Sequence, residues 1–223
     1  MARFTRIEVA TEMYNTGIVP VFYHPDINLC KQVLKACYDG GIRVFEFTNR
    51  GDFAHEVFGE LNKYAATHLP ELKLGIGSVV EESTAALYIQ LGANFIVSPI
   101  VQEAMARTCN RRKILWSPGC GSLSEISFAE ALGAEVVKIF PGKQVGGPEF
   151  VKAIKGPFPW SSIMPTGGVE PTEKDLKTWL DAGVHCVGIG SQLFIKDSTG
   201  SYDMQAISAR VAMALNIVKK HRK

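Results

Sequence analysis

Residues 133–141 read Gly133-Ala134-Glu135-Val136-Val137-Lys138-Ile139-Phe140-Pro141, and both halves of this stretch bear on the fold. A glycine able to take the left-handed conformation stops a helix, and the β-branched run behind it starts a strand. The same punctuation recurs at Gly40-Gly41-Ile42, Gly92-Ala93-Asn94 and Gly183-Val184-His185. The repeating unit is therefore strand, loop, helix. Working outward, the pattern predicts strands at 18–22, 43–48, 72–78, 95–97, 114–117, 136–140, 163–165 and 186–189. Amphipathic segments lie between them. In 27–38, Ile27, Cys30, Val33, Leu34, Cys37 and Tyr38 share one face, with Asp26 placed to cap the first turn. Ser122-Leu123-Ser124-Glu125 reads as a full capping box and Thr172-Glu173-Lys174-Asp175 as a variant of one. Such units, running on without a composition break, predict one α/β domain over 1–223, a (β/α)8 TIM barrel. An extra N-terminal helix is expected over 5–16, its Ile7, Val9, Ala10, Met13 and Tyr14 set against the bottom of the barrel. The competing open sheet, flavodoxin-like or Rossmann, would place G-x-G-x-x-G after the first strand, and none stands there.

Composition narrows the function classes. The chain has 24 Lys plus Arg against 22 Asp plus Glu, so no overall basic field recruits nucleic acid or an anionic membrane. The one basic cluster, Lys219, Lys220, Arg222 and Lys223, suits the end of a helix, where cations complement exposed carbonyls. No stretch approaches the roughly 20 apolar residues of a membrane span, and Met1-Ala2-Arg3-Phe4-Thr5-Arg6 has no apolar signal core behind it. The expected location is cytoplasmic. Cys30, Cys37, Cys109, Cys120 and Cys186 contain no C-x-x-C pair. His24, His55, His68, His185 and His221 show no ligand spacing, so neither a metal nor a cofactor is expected.

In a barrel the chemistry collects at the carboxyl ends of the strands. A lysine inside an apolar strand either escapes to water along its stem or is held because it is used. The second and sixth strands face each other across a ring of eight, so Glu46 and Lys138 are expected to meet in the middle. A structural ion pair is one reading; the other is a nucleophilic amine with a carboxyl proton carrier. Burial and a cation such as Arg50 favour the neutral amine, whereas Glu46 favours the ammonium. Gly167-Gly168 and Gly190-Ser191 end the seventh and eighth strands, the corner where barrels bind phosphate through exposed backbone N–H groups. Tight turns alone would also account for either glycine pair.

The order and spacing of Phe45-Glu46-Phe47-Thr48-Asn49-Arg50, Gly75-Ile76-Gly77-Ser78-Val79, Val97-Ser98-Pro99, Ser117-Pro118-Gly119, Val137-Lys138-Ile139-Phe140-Pro141 and Pro165-Thr166-Gly167-Gly168-Val169 resemble one family. It is the bacterial 2-keto-3-deoxy-6-phosphogluconate (KDPG) aldolase family, also described as 2-keto-4-hydroxyglutarate (KHG) aldolases, and the similarity runs from about Gly17 to about Phe194. The resemblance implies a cofactor-free class I aldolase, usually a homotrimer, with small-molecule phosphorylated keto acids and pyruvate as its partners. It implies that Lys138 forms the Schiff base and Glu46 shuttles protons. Arg50 and Ser78 would hold the pyruvate carboxylate, with Thr48, Pro99 and Phe140 shaping the pocket. Thr166, Gly167, Gly168, Gly190 and Ser191 would hold the far phosphate. Several positions depart from the family pattern: Phe22-Tyr23-His24 replaces an arginine frequent after Pro20-Val21, Ser78 and Ser122 replace threonines, Ile76 replaces alanine, and Pro141-Gly142-Lys143-Gln144 replaces an acidic-and-small loop. These departures bear on substrate choice more than on Lys138. Two other functions stay open on the residues alone, a phosphate-barrel isomerase or epimerase without a covalent intermediate and a catalytically silent sugar-acid-phosphate binding protein.

Overall fold

Strands and helices alternate along the computed structural model, which describes residues 2–222. Met1 of the amino-terminal segment and Lys223 of the basic cluster lie outside the described residues. The strands are β1 (Ile18–Phe22), β2 (Val44–Thr48), β3 (Lys73–Gly77), β4 (Phe95–Val97), β5 (Leu115–Ser117), β6 (Gly119–Cys120), β7 (Val137–Ile139), β8 (Ile163–Pro165) and β9 (Val187–Ile189). The helices are α1 (Arg6–Thr16), α2 (Ile27–Asp39), α3 (Ala54–His68), α4 (Glu82–Gln90), α5 (Glu103–Arg112), α6 (Leu123–Ala131), α7 (Gly147–Lys155), α8 (Glu173–Asp181) and α9 (Met204–His221). A six-stranded sheet runs in the order β5-β4-β3-β2-β1-β9 and a three-stranded sheet in the order β6-β7-β8, with every pairing parallel. Thr166, directly after β8, bridges Gly188 of β9 in the parallel sense. Between β5 and β6 stands only Pro118.

The ninth strand is β6, which lies beyond the predicted fifth strand at 114–117 and is not expected from the sequence. Pro118 has no N–H to give a ladder, which separates β6 from β5, although its carbonyl still accepts the Lys138 N–H at 2.9 Å. The helix stops fall as expected, with positive φ at Gly41, Gly92, Gly133 and Gly183. Asp26 accepts the N–H groups of Asn28 and Leu29 at the start of α2. The box at Ser122 is half formed: its hydroxyl accepts the Glu125 N–H, but the Glu125 carboxylate turns to the Gly121 N–H and the Ser122 hydroxyl. The complete box stands at Thr5 and Glu8, where the sequence reading marks none.

Side chains alternate across each strand and feed two apolar layers. One layer, outside the sheets, packs against α2 to α9 and holds Leu34, Phe58, Trp116 and Trp179. The other fills the enclosed side near the amino ends of the strands, with Val19, Val44, Phe95, Val97, Leu115, Val136, Met164 and Cys186. Val9 and Met13 of α1 complete it from below. Ile7, expected on the same face, is instead 73% exposed. The stopper is fastened at its rim, where the buried Lys73 ammonium meets Glu12 Oε2 at 2.8 Å and lies 4.6 Å from the Phe4 ring centroid. Among the described residues no helix is long and apolar enough to cross a membrane.

Candidate active site

The alternation that buries Val44 on the enclosed side of β2 puts Glu46 and Thr48 there too, and on β7 it makes Lys138 follow Val136. Room for the carboxylate comes from β3. A Cβ built on Gly77 would lie 1.8 Å from Glu46 Oε1 and 2.5 Å from its Cδ, so only glycine allows the group to lie there. Lys138 Nζ reaches to 3.9 Å from Glu46 Oε1, with both side chains buried. The separation exceeds a direct hydrogen bond, and Glu46 Oε2 has no partner within the protein. Burial pushes the Glu46 carboxyl above the usual carboxylate range, and the charges of Lys138 and Arg50 pull it only part of the way back. The lysine does not take the route to water: the residue is 5% exposed, and its ammonium lies 5.0 Å from the Phe140 ring centroid.

Beside this pair opens a cavity of about 350 Å³. Of the residues expected from the sequence, Arg50, Phe140, Thr166, Gly167, Gly168, Gly190 and Ser191 line it. Ser78 joins through Arg50, whose Nε donates to its Oγ at 3.3 Å. Glu46, Lys138, Thr48 and Pro99 are not in the wall; the buried pair borders it through Phe140 beside Lys138 and Arg50 beside Glu46. Thr48 is buried on β2 with an unpartnered hydroxyl, and Pro99 packs against β6, its carbonyl oxygen 2.4 Å from where a Cβ on Gly119 would stand. The wall also contains Val21, Val169, Glu170, Gly188 and Gln192, which the sequence reading passed over. Gly188 was within reach of it, since it lies two residues from Gly190 on the same face of β9.

The corner after β8 and β9 has the form of an anion cradle. Gly167 and Gly168 take φ of 96° and 78°, which exposes successive backbone N–H groups. The loop after β7 is zipped onto them by Gly142 N–H to Thr166 O at 2.8 Å and Lys143 N–H to Gly167 O at 3.0 Å. Arg50 adds a cation to the same cavity and Glu170 a carboxylate. A larger groove, about 600 Å³, runs between α2 and α9, but its charged groups Lys35 and Asp39 pair with each other at 2.7 Å and no chemistry-bearing cluster lines it. The cysteines are free and buried, and among the described residues no group of His, Cys, Asp and Glu is arranged to hold a metal ion. An amine and a carboxyl buried together, beside a cavity with a cation and an anion cradle, are equipped for covalent carbonyl chemistry with proton transfer.

Known proteins with this sequence pattern agree. A family model described as KDPG and KHG aldolase matches residues 9–210. A 2-dehydro-3-deoxy-phosphogluconate aldolase of Pseudoalteromonas atlantica is 33% identical over 205 residues, which cover 92% of this chain and 93% of that protein. A KHG/KDPG aldolase of Escherichia coli is 31% identical over 208 residues, covering 92% and 94%. Among solved structures, the 2-keto-3-deoxy-6-phosphogluconate aldolase of Zymomonas mobilis, crystallised with 3-phosphoglycerate, superposes with a TM-score of 0.81 at 25% identity, covering 94% of this chain and 95% of that one.

Proposed function

The chain belongs to the KDPG and KHG aldolase family and is a carbon–carbon lyase, and from that premise we propose that it cleaves KDPG to pyruvate and glyceraldehyde 3-phosphate through a Schiff base on Lys138. The observation that carries this reading is the buried approach of Lys138 Nζ to Glu46 Oε1 at 3.9 Å, bordered by Phe140 and Arg50 of a cavity that also holds the double-glycine corner.

The Lys138 amine adds to the C2 ketone and water leaves, giving a protonated imine. Glu46, directly or through water, takes the proton of the C4 hydroxyl. The C3–C4 electron pair moves toward the imine, the C4 oxygen becomes a carbonyl, and the aldehyde departs. Glu46 then returns its proton to C3 of the enamine, and hydrolysis frees pyruvate. A carboxyl whose proton affinity is raised by burial suits both directions of this transfer. Arg50, backed by Ser78, orients the keto acid carboxylate with a fork that lysine could not copy. Phe140 shapes the pocket around it, and Thr48 and Pro99 support it from outside the cavity wall. Thr166, Gly167, Gly168, Gly190 and Ser191 hold the phosphate, whose binding is spent on alignment at the reacting carbon. KHG, which ends in a carboxylate, is the second substrate class.

The same reading takes the two sheets as one closed (β/α)8 barrel and residues 1–223 as one domain. It is supported by the Thr166–Gly188 bridge on one side and by the passage through Pro118 on the other. A homotrimer in the cytoplasm completes it, in keeping with five free, buried cysteines. The test is borohydride reduction with pyruvate, followed by peptide mass analysis, alongside KDPG turnover coupled to pyruvate detection. A pyruvate-sized adduct on Lys138 is expected. Pyruvate release without an adduct would mean cleavage by a non-covalent route, and the absence of both would favour a non-covalent isomerase or a silent binder; each result refutes the proposal.

A further inference from the structure

The segment Asn49-Arg50-Gly51 leaves β2 with its central guanidinium in the cavity and is held from both flanks by side chains outside it. On one flank, Tyr88 of α4 donates its hydroxyl to Asn49 Oδ1 at 2.8 Å. Tyr88 is itself fixed, being 1% exposed with its ring edge-on to Phe58 at 5.2 Å. On the other flank stands Tyr23, which follows β1. A Cβ on Gly51 would fall 1.9 Å from the Tyr23 hydroxyl oxygen and 2.7 Å from Cζ, so the hydroxyl end of the tyrosine lies against the Gly51 backbone. Its ring is stacked at a tilt on Phe47, 5.5 Å between centroids. The two hydroxyls are close enough for Tyr23 to contribute to the rise of the Tyr88 phenol to about 12, although burial is the main cause.

Arg50 itself makes a single side-chain hydrogen bond, to Ser78, and is exposed. A long exposed side chain loses much rotamer freedom when it grips a ligand, so its backbone must already be in place. The Asn49 N–H bond to Gly77 O at 2.9 Å ties the turn to β3, the Arg50 N–H bonds to Thr48 O at 3.0 Å and Gly51 O accepts the Ala54 N–H at 3.2 Å; the side chains that hold it from outside are the two tyrosines. We propose that Tyr88, through Asn49, and Tyr23, through Gly51, are positioning residues that set the Arg50 turn for the carboxylate of the 2-keto acid. Neither touches the reacting atoms. The proposal rests on the reading of Arg50 given above.

The test measures pyruvate half-saturation by borohydride trapping, in the full-length protein, for Tyr88→Phe, Gly51→Ala, Arg50→Ala and the pair Arg50→Ala with Tyr88→Phe. Tyr88→Phe deletes one neutral hydrogen bond and keeps the ring, so half-saturation should rise about three- to tenfold. Inhibition by inorganic phosphate should stay within about twofold, because the anion corner is built on other strands. In the Arg50→Ala background, Tyr88→Phe should add nothing. Gly51→Ala should also weaken pyruvate capture, and Tyr23→Ala in the same chain should restore part of it by removing the clash. A Tyr88→Phe effect that persists in full without Arg50, or one absent while Arg50→Ala is strongly impaired, overturns the positioning role alone. If Arg50→Ala leaves pyruvate capture intact, the carboxylate reading of Arg50 falls, and the positioning role with it.

Discussion

Gly77→Ala adds one methyl group on β3 and separates the two halves of the proposed chemistry. The new Cβ would stand 1.8 Å from Glu46 Oε1, whereas an ordinary non-bonded contact is about 3.5 Å, so the carboxylate has to retreat by roughly 1.7 Å. It cannot do so into water, since Glu46 is 1% exposed and walled by the opposite strands. Overpacking of this kind costs about 1–3 kcal/mol of stability. The larger effect is on catalysis: misplacing a reacting group by 1 Å costs about a hundredfold, and general acid–base catalysis as a whole contributes about 10²–10⁴. The expected loss in kcat for KDPG cleavage is therefore about a hundred- to a thousandfold. The amine comes from β7, so pyruvate should still be trapped on Lys138 by borohydride. Steady-state cleavage and trapping, measured on the same preparation, give the comparison. A folded Gly77→Ala enzyme with kcat within threefold of the parent would refute the placement of Glu46 as proton carrier.

Further expectations follow from the same geometry. Lys138→Met should abolish turnover and the trapped adduct; it also strands a buried carboxylate, a loss of about 3–5 kcal/mol that thermal unfolding should register at high pH and that Glu46→Gln should relieve. Because burial raises the Glu46 carboxyl, kcat should fall on acidification at a pH above the usual carboxylate range, and a pH profile of Glu46→Gln should lack that limb. For stability the sign is reversed: the folded chain holds this proton more tightly than the unfolded chain. The contribution is therefore full below the unfolded value and is lost as pH rises through the folded one. Gly168→Ala forces a side chain onto φ of 78° and to within 2.4 Å of Lys143 Cβ. Inhibition by inorganic phosphate should weaken about tenfold or more, with pyruvate trapping unchanged.

The strand alternation and the meeting of Glu46 with Lys138 were legible because both depend on short-range rules, a period of two along a strand and the parity of strands around a ring. The helix stops were legible for the same reason. The two-residue β6 after Pro118 was not legible, because Gly119-Cys120 is too short to carry a periodic pattern of its own. Contacts fixed by tertiary placement were not legible. Nothing in the spacing of Asn49 and Tyr88, or of Tyr23 and Gly51, shows that they touch. The Glu125 carboxylate chose the Gly121 N–H over its own N-cap because the preceding turn offered it at 2.9 Å. Thr48 and Pro99 were expected at the pocket from resemblance alone; Thr48 is buried on β2 and Pro99 packs against β6, outside the cavity wall.

On the proposed reading as a closed barrel, the packing of Val9 and Met13 of α1 under the strands leaves the carboxyl ends as the way in. Traffic then has an order imposed by depth. In the proposed mechanism the phosphorylated fragment would sit nearest the exit, unbonded once cleavage is complete, whereas the three-carbon fragment would remain bonded to Lys138 deeper in. The aldehyde has to leave first, and pyruvate last. Added pyruvate should therefore compete with the substrate for the empty enzyme, while added aldehyde should not, because it returns only to a barrel already loaded deeper in.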